Sequence, residues 1–380
     1  MQKIISKTNS RTPVGHSAEP EVPAPWLMHE FFAGSGLVGL GLAGMFSPAW
    51  ANDCCPRKAE TYRANSGAGA GHFVLGDVRE TRGSSLPFAH LSWASFPCQD
   101  LSLAGSMSGI EGERSGLVWE WLRIVRESAE GPAVLVMENV MGLITACGGD
   151  HYRRLHLALA EAGYRAGAVV LDAVRFLPHS RPRVFVIALK AGTPLPGDLV
   201  SGGPTWLHPS SAASLGAELP EWIWWNAPEP PPRQSDLSDI LEDGLPFDKD
   251  HVLGLLGPRH RAALNARDTL TAAGYRRTRG GRQTLELRFD GVAGCLRTPY
   301  GGSSRQFLVV KRKGRARARL ISPRETARLM GAPESFRLPS RANEGYRAMG
   351  DAVALPVATF LGRHILTRLA EAAYGPPCRS

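Results

Sequence analysis

The sequence predicts an α/β fold, a mostly parallel sheet covered by helices on both faces, with a smaller, basic and irregular region late in the chain. Three observations predict it. Short apolar runs alternate with helical patterns from Leu27 to Leu189, a glycine-rich turn follows the first run, and positive charge gathers in one late segment. Strands alternating with helices favour a parallel sheet, because each crossover helix packs back onto it.

The elements follow in order. Residues 1–26 are polar through Pro25, with scattered Pro, Ser and Thr, and read as a mobile tail. This stretch lacks the apolar centre of a signal peptide, so secretion is not expected. Met28-His29-Glu30-Phe31-Phe32 reads as a strand entering the glycine turn. Leu91 to Ser95, Ala133 to Met137 and Val184 to Leu189 read as further strands. Gly116 to Glu127 and Tyr152 to Ala162 carry helical spacing. From Gly192 to Pro232 the chain is rich in Pro, Gly and Ser with Trp206, Trp222, Trp224 and Trp225 interspersed, a linker with a few anchored aromatics. Arg282 to Asp290 alternates, with Leu285, Leu287 and Phe289 on one side, as in a strand with one wet face. Arg315, Arg317 and Arg319 alternate too, which places three guanidinium groups on one side of another strand. Pro323 to Met330 and Ala354 to Ala373 read as helices.

Composition bounds the function. No apolar run approaches the roughly 18 residues of a membrane-spanning helix. The six cysteines, Cys54, Cys55, Cys98, Cys147, Cys295 and Cys378, form no CxxC pair, which argues against a zinc site or a disulfide framework and fits a reducing cytoplasm. The net charge is +9. Residues His251 to Leu320 hold sixteen Lys and Arg against three Asp and Glu, a surplus of 13, so the rest of the chain carries −4. A solvated surface and a polyanion-binding face both fit such a segment; nucleic acid is the sharper reading.

Four constellations carry chemistry. Phe32-Ala33-Gly34-Ser35-Gly36-Leu37 closes the first strand, where glycines let the backbone turn tightly against a ligand, as in Rossmann-like folds. About 20 residues on, such a turn wants a carboxylate for ribose hydroxyls. Asp53, before Cys54, lies there, and Asp77 before Val78 ends the next apolar run. Pro97-Cys98-Gln99 follows a strand at the sheet edge; the thiol is either a buried inert side chain or a nucleophile with a stabilised thiolate. Glu138-Asn139 ends another strand, as a plain strand-end acid or a carboxyl with a raised pKa. Arg181 and Arg183 precede the last strand and serve either salt bridges or the cleft.

In this order the four resemble the DNA (cytosine-5-)methyltransferase family of bacterial or phage type, over about Leu27 to Leu189 and again over about Arg319 to His364. Phe32 stands in the place of the aromatic that stacks on the cofactor adenine, Asp53 and Asp77 in those of the ribose and adenine carboxylates. Pro97-Cys98-Gln99 matches the catalytic loop. Arg114-Ser115-Gly116-Leu117 with Glu120, Glu138-Asn139-Val140, and the Arg181/Arg183 pair match the next motifs. Leu320 to Pro333 matches the late helix, and Gly350-Asp351-Ala352-Val353 the closing motif. His179 stands where the family has Gln, Asp351 where it has Asn, and Leu37 where it has Gly.

The resemblance implies an S-adenosyl-L-methionine-dependent methyltransferase fold. It implies a catalytic domain at 27–191 and 346–376, with a linker and target-recognition domain at 192–345. It makes Cys98, Glu138, Asn139, Arg181 and Arg183 catalytic. Phe32 to Leu37, Asp53, Cys54, Asp77, Val78, Pro97, Leu117, Asp351 and Ala352 then line the cofactor. Gln99, Ser102, Arg276, Arg277, Arg279, Arg282, Gly301, Gly302, Ser303, Ser304 and Arg305, with Lys311 and Arg312, are the expected DNA contacts. No metal is implied. Double-stranded DNA is the expected partner of a monomeric cytoplasmic enzyme, with a restriction endonuclease or other defence protein beside it. Two rivals stay open: a cytosine-5 RNA methyltransferase, and a DNA-binding regulator with a silent site.

Overall fold

The structure is a computed structural model that describes residues 25–97, 116–298 and 305–376, with backbone alone at residues 68 and 69. Seven strands build the main sheet: β1 (Trp26–Phe31), β2 (Phe46–Asp53), β3 (Phe73–Leu75), β4 (Leu91–Ala94), β5 (Val134–Asn139), β6 (Tyr164–Asp172) and β7 (Pro182–Lys190). Their order is β3-β2-β1-β4-β5-β7-β6. The first five run parallel, and β7 is antiparallel to both neighbours. The chain leaves β1 toward one edge and returns through β4 toward the other. The order therefore reverses between β1 and β4, and ligands of open α/β sheets bind outside the carboxyl ends at such a reversal.

Both faces of the sheet are buried, which is why its strands read as unbroken apolar runs. Val134 and Val136 enter one core with Trp93, Phe185 and Ile187, while Leu135 and Met137 enter another with Val184 and Val186. The helix Leu117–Glu127 covers the second core. Its Val118, Trp121, Leu122 and Val125 recur at helical spacing and are buried. The indole of Trp121 donates to the Ser92 hydroxyl at 3.0 Å, so a large apolar residue also meets its one polar need.

The apolar core crosses the boundaries expected from sequence. Leu199, Leu207, Ile223 and Trp225 of the expected linker, and Leu237 just after it, belong to the core that holds β5 and β7, and so do Ile321, Leu329, Met330 and Phe336. Trp225 donates its indole N–H to Ile187 O at 3.2 Å. The segment is a strap fastened by tryptophans, and residues 321–345 pack with the catalytic core.

A second sheet, β8 (Leu270–Arg279), β9 (Arg282–Leu287), β10 (Gln306–Arg312) and β11 (Arg315–Leu320), is antiparallel throughout in the order β11-β10-β8-β9. Leu285, Leu287, Phe307 and Val309 form its own small core with Val252, Leu256 and Leu264, while Ala273 and Leu308 face the main core. Gly280 and Gly281 both have positive φ, as a tight two-residue hairpin requires. The predicted C-terminal helix forms with one π turn, Gly362–Leu366, between Leu355–Leu361 and Thr367–Tyr374.

Candidate active site

The glycine turn sits at the carboxyl end of β1. Phe32, Gly34 and Gly36 all have positive φ. A Cβ on Gly36 would stand 2.9 Å from the Tyr62 ring, so only glycine fits. Asp53 holds the turn: its carboxylate accepts the Gly34 N–H at 3.0 Å and the Cys55 N–H at 2.8 Å. Each carboxylate oxygen has a second lone pair, so ribose hydroxyls still have acceptors there. Ala33 is buried beside it. The turn, the buried carboxylate and the half-buried Phe32 ring fit an adenosine-bearing cofactor.

Other expected cofactor residues are more committed than the sequence suggested. Leu37 is 1% exposed and starts a short helix, so its side chain serves the core and only its backbone faces the turn. The Ser35 hydroxyl donates to Ala348 O at 3.2 Å and ties the turn to the closing helix Ala342–Asp351. Val78 is buried, Cys54 is exposed, and Pro97 and Leu117 are half-buried. Asp77 is paired with Arg79 at 2.6 Å, which holds its carboxyl below the usual range. Asp351, in place of the family's Asn, pairs with Lys58 at 3.0 Å. The Ala352 carbonyl accepts from Arg181 at 2.7 Å.

Glu138 ends β5 and is 6% exposed. Burial raises its pKa, opposed by Arg183, Arg181 and a hydrogen bond from Ser95. In the antiparallel register Glu138 faces Phe185, and Arg183, two residues along β7, shares that face. Its Nε lies 3.0 Å from Glu138 Oε1. Cys98, Gln99, Ser102, Arg114 and Ser115 lie outside the described residues, as do Gly301, Gly302, Ser303 and Ser304.

Two residues expected to be catalytic hold backbone instead. Asn139 donates to Phe96 O at 3.1 Å and accepts from the Val140 N–H at 2.8 Å, so its amide fixes the strand end just before Pro97 and Cys98. Arg181 is 2% exposed and donates to Leu296 O at 3.2 Å, Gly350 O at 2.8 Å and Ala352 O. It joins the approach to β7 to the segment before β10 and to the closing helix, and its two Nη groups are engaged by these carbonyls and by Cys295 Sγ at 3.6 Å. His179 is fully buried. Its Nδ1 pairs with Leu329 O at 2.9 Å and its Nε2 accepts the Leu296 N–H at 3.2 Å. Burial and the neighbouring arginines keep it neutral, and a neutral imidazole offers one donor and one acceptor, as a glutamine amide does.

Sequence reasoning missed two side chains here. Glu30 in β1 is buried behind the turn, bonded to the Gly39 N–H and the Tyr62 hydroxyl, and burial pushes its carboxyl up to about 8. An acid inside an apolar strand was the signal. Cys295 lies 3.9 Å from Arg183 Nη1, and its sequence context gave no signal.

A family profile described as C-5 cytosine-specific DNA methylase matches residues 27–250 and 254–367. The chain belongs to that family. Among its relatives are the Type II methyltransferases M.Bsp6I of Bacillus sp. (strain RFL6), M.NlaX of Neisseria lactamica and M.HhaI of Haemophilus parahaemolyticus. M.Bsp6I is 26% identical over 88% of this chain and 96% of its own length. M.NlaX is 27% identical over 86% and 92%, and M.HhaI 25% identical over 88% and 93%. The S. pombe Dnmt2 methyltransferase structure matches at a TM-score of 0.57 and 17% identity over 91% of this chain and 98% of its own. The Entamoeba histolytica methyltransferase EhMeth matches at 0.59 and 14% over 92% and 98%. As a C-5 cytosine-specific DNA methylase, this chain transfers a methyl group from S-adenosylmethionine to carbon 5 of cytosine in DNA. The DNA it acts on is its partner. Among the described residues no helix is long and apolar enough to cross a membrane.

The expected DNA contacts fall in three groups. Arg282 and Arg312 are exposed, and Arg276, Arg277 and Arg305 are half-buried; Arg277 lies over the Tyr275 ring. Arg279 is exposed but paired with Glu286. Lys311 is a correction: it is 7% exposed, and its ammonium donates to Leu264 O and Asn265 O, the carbonyls that end the helix Pro258–Asn265. A cation there satisfies orphan carbonyls. Arg319 is not an exposed cation either: it is buried against Glu325, the third residue of Pro323–Leu329 and the partner of the N-cap Ser322 in a capping box.

Proposed function

We propose that Cys98 is the nucleophile, that Glu138 supplies the proton and Arg183 the base contact, and that the methylated cytosine sits within one specific duplex sequence. The Glu138–Arg183 pair at the carboxyl end of the sheet carries this reading. A buried carboxyl whose protonated form is favoured, next to a guanidinium on the same face, suits a pyrimidine ring with a basic nitrogen beside a carbonyl.

Carbon 5 of cytosine is a poor nucleophile and is buried in the duplex. The base is flipped out, at a cost of a few kcal/mol offset by pocket contacts. The Cys98 thiolate adds to carbon 6 while Glu138 gives its proton to ring nitrogen 3, so the ring takes up the electron pair. Arg183 holds the carbonyl oxygen. Carbon 5, now an enamine carbon, attacks a methyl group; bound S-adenosylmethionine supplies that methyl on a sulfonium leaving group. Water takes the carbon-5 proton, the electron pair left behind re-forms the ring double bond and expels Cys98 as thiolate, and nitrogen 3 returns its proton to Glu138. This is nucleophilic catalysis with positioning. Asn139 and Arg181 serve as positioning residues. Phe32, Asp53 and the turn hold the adenosine end, and Asp77 and Asp351 reach it from within their pairs with Arg79 and Lys58.

The second sheet and its loops supply target recognition. Arg276, Arg277, Arg282, Arg305 and Arg312, with the loop Gly301 to Ser304, approach DNA. The relatives named as Type II methyltransferases support a place in restriction–modification or other defence, beside a nuclease, as a cytoplasmic monomer that meets the nucleoid through DNA. Cys98→Ala tests the central step. It should abolish tritium-methyl transfer to DNA while S-adenosylmethionine still binds; full activity would overturn the assignment.

A further inference from the structure

Glu138, Arg183 and Cys295 form a short polar chain on one side of β5 and β7. Arg183 stands between the other two. Its Nε meets Glu138 at 3.0 Å, and Nη1 and Nη2 both lie 3.9 Å from Cys295 Sγ. The same sulfur is 3.6 Å from Arg181 Nη1. Its position is fixed from several sides. The Cys295 carbonyl accepts from the Tyr275 hydroxyl, the Leu296 N–H is bound by His179, and the Leu296 carbonyl by Arg181. The backbone pairs Ala293 N–H with Pro178 O and Ser180 N–H with Ala293 O, at 2.8 and 2.9 Å, complete the attachment.

The reaction poses a charge problem at Arg183. Its side chain is 14% exposed. When Glu138 takes its proton, the ion pair is lost, and a desolvated guanidinium is driven to move toward water or another anion. Arg183 must stay in place at that moment, because the protonated acid is the form that meets the base. We propose that Cys295 is a positioning residue that holds Arg183 while Glu138 is protonated: the Pro182 carbonyl, 2.9 Å from Nη1, takes one guanidinium hydrogen, and the Cys295 sulfur serves as a further acceptor and counter-charge. The inference rests on the acid role given to Glu138 above. It needs no covalent step: the proton moves between Glu138 and the base, and Cys295 exchanges nothing.

The two guanidinium groups beside the sulfur favour its ionisation, although as a thiol it donates to Leu296 O at 3.5 Å. Burial works against ionisation, but Arg181 and Arg183 outweigh burial and hold the Cys295 thiol below its usual range. His179 and Arg181 face this cluster from β7 and its approach, Tyr275 from β8, Asp351 from the closing helix, and Ser95 lies beside Glu138; Arg297 acts on Tyr275. His179 is neutral, so Arg181 and Arg183 are the cations nearest the sulfur. Without the sulfur, the guanidinium charge acts more fully on Glu138 and favours its carboxylate. Glu138 then loses its proton at lower pH, and the alkaline limb of the rate moves down.

The test is single-turnover methyl transfer against pH for the wild type, Cys295→Ala and Cys295→Ser, with Glu138→Gln as control and cofactor titration as the check of folding. Cys295→Ala should be about tenfold slower, with KM for S-adenosylmethionine unchanged and its alkaline limb about half a pH unit lower or more. Cys295→Ser should regain rate, because its hydroxyl accepts, but keep the lowered limb, because it stays neutral. A folded Cys295→Ala with wild-type rate and limb overturns the proposal. Should that variant not bind cofactor, the Cys295→Ser limb decides alone, and a wild-type limb there overturns it. An active Glu138→Gln would instead overturn the acid role itself.

Discussion

Glu138 sets the pH behaviour of the site. Burial raises its pKa, and the arginines only partly oppose that. Between the ordinary carboxylate range and the raised value, the folded chain holds a proton that the unfolded chain has released. The stability this group contributes is therefore present at low pH and falls as pH rises through that window. The transfer rate should fall on the same side, since the proposed mechanism uses the protonated acid. Glu138→Gln should lower the single-turnover rate by about 10²–10⁴-fold with cofactor affinity unchanged; an unchanged rate would remove Glu138 from the chemistry. His179 permits a second prediction at this scale. His179→Gln keeps one donor and one acceptor between Leu329 and Leu296 and should retain activity within about threefold. His179→Leu leaves a buried N–H and a buried carbonyl without partners and should cost about 1–3 kcal/mol in a denaturant titration.

At the scale of elements, the glycine turn and the late helix are the parts whose chemistry is most constrained. Gly36→Ala adds a Cβ 2.9 Å from Tyr62 at a φ of +84°. It should cost about 1–3 kcal/mol and weaken S-adenosylmethionine binding at least about tenfold by calorimetry. Arg319→Met leaves Glu325 charged and buried, so a loss of about 3–5 kcal/mol is expected from thermal unfolding. Legibility differs between elements for physical reasons. β1, β4, β5 and β7 were readable because burial on both faces makes most of their residues apolar. β6 escaped notice, and its Gly167 shows why: a Cβ there would stand 1.9 Å from Ile223 O, so the strand gives up a side chain to let the strap pass. The strap itself read as a linker, because tryptophans anchored singly leave no period. Glu138 and Arg183 were legible as motifs, but their meeting depends on the register of two strands far apart in sequence. That Arg181, Asn139 and Lys311 bind carbonyls depends on partners that no local pattern reveals.

For the whole molecule, the division of labour is between a neutral-to-acidic catalytic sheet and a basic second sheet. The charge surplus of residues 251–320 is only partly free for a polyanion, since Arg279, Arg288, Arg317 and Arg319 are paired with acids and Lys311 is buried. Replacing Arg277, Arg282 and Arg312 together by Gln should reduce the slope of log affinity against log salt by about 0.9 for each phosphate that these arginines neutralise. An unchanged slope would place DNA elsewhere. The most direct test of the account is a covalent trap. Duplex DNA carrying 5-fluorocytosine in varied sequence contexts is incubated with the protein and S-adenosylmethionine, and the adduct is mapped by peptide mass spectrometry. The account predicts a stable protein–DNA adduct at Cys98 that disappears in Cys98→Ala. An adduct at another residue, or none with cofactor bound and DNA engaged, would contradict it.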